Sequence, residues 1–133
     1  MTNDTASRRE RGEQTLRGID GDEGLAVVAR LRDISPGLAE AITDWAFGDV
    51  YCRPGLSPRD RQLVTLGALT ALGGCEPQLR VHVGASLNVG LTRDEVLEAL
   101  LHAAVYCGIP RSINATLVAQ AVFDTRDDLA HTC

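Results

Sequence analysis

The sequence predicts an all-α protein, a small helical domain of about six helices. Aromatic residues make up only 4% of the chain, and much of the 44% hydrophobic content is Ala, Leu and Val. Period-two alternation of β-branched residues is scarce, which disfavours sheet. Helix-start signatures recur, at Ser35-Pro36, at Ser57-Pro58, and at Thr92 with Glu95 three residues on. A chain of 133 residues has room for one modest core. The expected organisation is therefore a single helical domain over residues 9–124, with a flexible tail over 1–8 and a polar tail over 125–133.

In order along the chain, residues 8–17 form a charged helical stretch that packs weakly or on a neighbour, and Gly18 with the Asp20-Gly21-Asp22 cluster breaks it. Leu25, Val28, Ala29 and Leu31 give a short amphipathic helix ending before Ser35-Pro36. Ser35 as N-cap and Pro36 at the first helical position open the next helix, in which Leu38, Ile42, Trp45 and Ala46 supply the apolar face and Gly48 loosens the end. Pro54 and Gly55 make a turn that carries Arg53. The helix after Ser57-Pro58 is apolar nearly all round, which predicts burial on every side.

Gly73-Gly74 separates it from a helix starting near Glu76 and ended by Asn88 and Gly90. Thr92 and Glu95 form a capping box for a helix running to Gly108, with Val96, Leu97, Leu100, Ala104 and Cys107 facing the core. Pro110 opens the last helix, with Ile113, Leu117, Val118, Ala121 and Val122 facing inward. Together the helices carry more apolar surface than a monomer of this size covers, which predicts an obligate oligomer.

The net charge of −5 is opposed by no dense basic cluster, so nucleic acid is not an expected partner. No apolar run is long enough to cross a bilayer, and the first residues lack the apolar core of a signal peptide, which points to a cytoplasmic protein. Cys52, Cys75, Cys107 and Cys133 have wide, irregular separations with no C-x-x-C pair and no zinc-type spacing. They read as free thiols, and no metal site is expected.

The stretch from Gly74 to Gly90 concentrates the chemistry. On a helix, Gln78, His82, Ala85, Ser86 and Val89 fall within one stripe with Cys75 at its upper end, flanked by apolar Leu79 and Val83. Carboxamide, imidazole, hydroxyl and thiol would then line one wall of a pocket. Read by itself, His82 is either a functional imidazole or a core-edge histidine bonded to backbone. Arg80 points away from the stripe and has Glu76 at the i,i+4 distance, so it is a binding residue or half of a solvated ion pair.

Several separated motifs in one register closely resemble the 4-carboxymuconolactone decarboxylases. They are residues 44–56 (Asp-Trp-Ala-Phe-Gly-Asp-Val-Tyr-Cys-Arg-Pro-Gly-Leu), 61–66 (Arg-Gln-Leu-Val-Thr-Leu), Leu79-Arg80-Val81-His82 with residues 88–92, and Leu101-His102 with residues 106–110. The resemblance implies a fold shared with the alkyl hydroperoxidase D proteins, assembly as homotrimers or homohexamers, and a small-molecule substrate. It also implies activity without metal or organic cofactor. Such enzymes remove the γ-carboxyl group from a butenolide formed in aromatic-compound breakdown.

On that resemblance, the catalytic candidates are His82 as proton donor or shuttle and Gln78 as the group that orients the substrate or donates to its carbonyl. Arg53, Arg80, Cys75, Ser86, Trp45 and His102 are the substrate-binding candidates, the guanidinium groups suiting carboxylates. Gln78 stands where an acidic residue is expected and Cys75 where a basic one is. A tailoring lyase or isomerase acting on a bulkier aromatic or polyketide-like metabolite is therefore an alternative. Cys75, Gln78 and His82 also occupy the C-x-x-C-x-x-x-H positions of the alkyl hydroperoxidase D proteins. With the second cysteine missing, a two-thiol cycle cannot run there. A Cys75-dependent redox protein and a non-catalytic binding subunit are the remaining alternatives.

Overall fold

The computed structural model describes residues 2–132, with side chains from Ser7 onward. Met1 and Cys133, the ends of the expected tails, lie outside the described residues, as does the free-thiol reading of Cys133. The described residues form α1 (Thr2–Ile34), α2 (Pro36–Glu40), a π-helical segment (Ala41–Val50), α3 (Pro58–Leu72), α4 (Glu76–Asn88), α5 (Arg93–Cys107) and α6 (Ile109–His131), with no strand among them. The all-α class is thus observed. The chain clusters into two compact units, one up to Pro58 and one from Arg59 onward.

In the first unit, α1 is one long element from Thr2, interrupted only where Gly21 takes φ 67° and ψ −155°. The break expected from Gly18 and the Asp20-Gly21-Asp22 cluster thus falls at Gly21 as a kink, and helix occupies the described part of the expected tail over 1–8. The charged stretch over 8–17 packs firmly, contrary to its polar appearance. Arg8 grips the Asp49 carboxylate through Nε (3.1 Å) and Nη2 (2.5 Å). Arg9 donates twice to Asp44 at 3.3 Å, and Arg11 Nε donates to the Gly48 carbonyl at 2.8 Å.

The backbones also come close. A Cβ on Gly12 would lie 1.8 Å from the Thr43 carbonyl oxygen, and one on Gly48 would lie 2.7 Å from that of Arg8. Only glycine permits such an approach.

Past Glu40 the helix widens to i→i+5 hydrogen bonding, as in the 2.8 Å bond from the Tyr51 N–H to the Ala46 carbonyl. Wider winding changes which residues face inward. Ala39, Thr43, Asp44, Phe47 and Gly48 are buried, while Leu38 and Trp45, assigned to the apolar face from a 3.6-residue period, are 50% and 62% exposed.

In the second unit, α4, α5 and α6 pack around Leu79, Val83, Val96, Leu100, Ala115, Ala119, Val122 and Phe123, and Leu66 from α3 joins this core. The capping box forms as the sequence predicts. The Glu95 N–H donates to Thr92 Oγ1, and the Thr92 N–H donates to Glu95 Oε1, each at 3.0 Å. Helix α3 is not buried on every side of this chain. Its inward stripe is Gln62, Leu66 and Thr70, while Val64 and Leu72 stay exposed.

Helix α6 is turned relative to the expected face. Ser112, Ala115, Ala119, Val122 and Phe123 are buried, and Ile113 and Leu117 are exposed. Small Ala115 and Ala119 let the neighbouring helices close in, and the Ser112 hydroxyl donates to the Leu100 carbonyl at 2.7 Å. The polar residues after Asp124 are helical because they are anchored. Asp127 accepts two hydrogen bonds from Arg93, and Arg126 donates to the Gly84 carbonyl and to Asn88 Oδ1 at 2.9 Å each. No helix among the described residues is long and apolar enough to cross a membrane.

Candidate functional site

Helix α4 starts where the pattern places it. Gly73 and Gly74 both take φ 70°, a left-handed pair that turns the chain out of α3. Cys75 is the N-cap and Pro77 sits in the first turn, where its missing N–H costs nothing. Leu79 and Val83 bury one face against the core with Ser86, and His82 beside them is half-buried.

The His82 ring points to α3. Its Nδ1 lies 3.2 Å from Gln62 Oε1, a partner 20 residues earlier in the chain. Gln62 is fully buried, and its Nε2 has no hydrogen-bond partner among the described residues. Burial pushes the His82 imidazole down to about 4. At neutral pH the ring is therefore uncharged in this structure. With Oε1 able only to accept, this hydrogen bond requires the proton on Nδ1 and leaves the lone pair on Nε2.

The other stripe residues have separate surroundings. Ser86 is fully buried, and its hydroxyl donates to the His82 carbonyl at 2.7 Å, so it back-bonds along its own helix. Gln78 and Arg80 are exposed. Cys75 is half-buried, with Sγ 3.6 Å from the Gly73 carbonyl oxygen, and the three described cysteines are free thiols. The thiol, carboxamide, imidazole and hydroxyl thus share a helix register, and the hydrogen bonds of the thiol, ring and hydroxyl go to different partners.

His102 lines a different feature, an apolar groove of about 630 Å³ between α3 and α5 that also includes Leu63, Gly67, Ala99, Glu98 and Tyr106. Its ring tilts against that of Tyr106, with centroids 5.8 Å apart. Arg53 and Trp45 belong to the first unit, where Arg53 is exposed on the turn after the π-helical segment. Among the described residues no group of three or more His, Cys, Asp or Glu side chains is placed to hold a metal ion.

Sequence reasoning did not assign Gln62 a role. The available signal was a single long carboxamide within a helix that reads as apolar nearly all round. Periodicity reports which residues share a face of one helix and is silent on partners across helices.

A model of the carboxymuconolactone decarboxylase family matches residues 36–121. The chain is 38% identical over 132 residues to a nitrosuccinic acid decarboxylase of Metarhizium robertsii, covering 96% of this chain and 90% of that one. It is 42% identical over 93 residues to the 4-carboxymuconolactone decarboxylase of Acinetobacter baylyi, covering 70% of this chain and 69% of that one. An uncharacterised 15.0 kDa protein of Paracoccus denitrificans is 35% identical over 91 residues, covering 68% of this chain and 67% of that protein.

Proposed function

The chain belongs to the carboxymuconolactone decarboxylase family, and we propose that it releases CO2 from a small dicarboxylic acid carrying its own electron sink beside the departing carboxyl group. It is a carbon–carbon lyase of the decarboxylase class. The compounds named for its two decarboxylase relatives share this design. In a γ-carboxy butenolide the electron pair left by CO2 runs through the ring double bond into the lactone carbonyl. In nitrosuccinic acid it runs into the nitro group. Each also keeps a second carboxylate, a handle that a guanidinium such as that of Arg53 or Arg80 fits.

Decarboxylation consumes one proton, which must reach carbon as the new C–H bond forms. The observation that supports this reading most is His82, a sheltered imidazole that is uncharged at rest. An anionic substrate beside such a ring raises its proton affinity, so the acid forms as the substrate binds. His82 then gives that proton to carbon. A weakly solvated setting destabilises the departing carboxylate and strengthens any hydrogen bond to the sink. Gln78 is the carboxamide one turn away on α4 for that bond. We also propose a closed homotrimer or homohexamer, supported by exposed Val64, Leu72, Leu101, Val105, Ile109 and Leu117 in the second unit.

The test is CO2 release from carboxymuconolactone and from nitrosuccinic acid, each incubated with purified protein. Turnover of at least one is expected, falling about 10²–10⁴-fold in His82→Ala with helical content unchanged. Failure of both compounds to lose CO2 would reject the substrate class. Undiminished turnover in His82→Ala would reject the role of the imidazole.

A further inference from the structure

We infer that Gln62 is the positioning residue of this site, fixing which ring nitrogen of His82 stays protonated and which receives the proton destined for carbon. The inference deepens the decarboxylase reading and rests on it for the fate of that proton. Helix α3 carries Gln62 as a misfit. Its inward stripe continues with Leu66 and with Thr70, whose hydroxyl is satisfied within the helix by the Leu66 carbonyl at 2.7 Å. Gln62 instead reaches across to α4, and its Oε1 takes the Nδ1 position of His82 at 3.2 Å. Its Nε2 is left buried without a hydrogen-bond partner among the described residues. An apolar side chain of similar size would avoid that unmet group, so stability alone does not account for a carboxamide here.

The chemistry of an amide accounts for it. Oε1 accepts and cannot ionise, so it holds the Nδ1 proton without removing it. Nε2 of His82 is then the lone-pair nitrogen, and any proton taken up goes to that atom. A carboxylate in the place of Gln62 would pair with the imidazolium and raise the charged share of the ring before substrate arrived. The neutral amide leaves charging to the substrate anion. Each turnover then runs as one cycle: Nε2 gains a proton from solvent, the carboxyl carbon leaves as CO2 with its bond electrons passing to the sink, and the Nε2 proton forms the new C–H bond.

The test reads the ring directly in full-length protein labelled with ¹⁵N-histidine, with His82 assigned by the signal lost in His82→Ala. Native protein is expected to show protonated Nδ1 and bare Nε2 near neutral pH. Gln62→Met is expected to give a mixture of tautomers and to lower kcat at least about tenfold with little change in KM. Gln62→Glu, nearly identical in shape, is expected to raise the His82 titration midpoint by about 1–3 units, and it serves if the methionine variant does not fold.

A native ring protonated on Nε2 would overturn the inference, since it would mean that the amide donates instead. So would a Gln62→Met protein with native tautomer and native kcat, or a Gln62→Glu protein with an unmoved midpoint. The spectra need no substrate, so the inference stands or falls in the resting protein even if neither candidate acid is decarboxylated.

Discussion

Burial moves two titratable side chains in opposite directions. In the first unit Asp20 is raised to about 7, chiefly by burial and further by the nearby Glu23 charge, and its Oδ1 has no hydrogen-bond partner among the described residues. A raised carboxyl group contributes stability that is complete below its ordinary range, near 3.8, and is lost as pH rises through about 7. Asp20→Asn is therefore expected to stabilise the protein by roughly 1–3 kcal/mol at pH 8 and to be nearly neutral at pH 4. Chemical denaturation at the two pH values checks this, and equal effects at both would count against a buried, neutral Asp20. His82 has the opposite sign. Its contribution is complete above 6.5 and declines as pH falls towards about 4, where the folded protein finally accepts the proton. Spacing put His82 on a polar stripe and the family resemblance made it the catalytic candidate, but its uncharged state was not legible, because that state comes from packing.

Among the elements, the boundaries marked by special residues were legible. Pro36, Pro58, Gly73-Gly74 and the Thr92–Glu95 box each act through local backbone chemistry that needs no tertiary context. The π-helical winding of Ala41–Val50 and the inward face of α6 were not, because contact with other helices decides both. The close approach of α1 to the π-helical segment sets a specific expectation. Gly12→Ala would drive a methyl group into the Thr43 carbonyl, and a loss of about 1–3 kcal/mol is expected in thermal or urea unfolding. Unchanged stability would mean that the two helices are free to part. Asp44, buried beside Arg9, works with this contact. Burial alone would raise its carboxyl, but hydrogen bonds from Arg9 and Thr43 prevail and hold it below the usual carboxylate range.

For the whole molecule, the sequence indicated the all-α class and an excess of apolar surface. It did not indicate that Ile113 and Leu117 of α6 would add to this surface, because the alanine-rich stripe of α6 competes with its larger residues for the inward position. Self-association predicts a sedimenting mass several times 14.2 kDa at low micromolar concentration, with Val105→Asp and Leu117→Asp shifting the distribution to lighter species. A single species of monomer mass in the unaltered protein would refute it.

The hydrogen bond between Gln62 and His82 also bears on how such a catalyst diversifies. Glutamine and glutamate codons differ by one base, so a point mutation exchanges an uncharged neighbour of the imidazole for an anionic one while leaving the helices as they are.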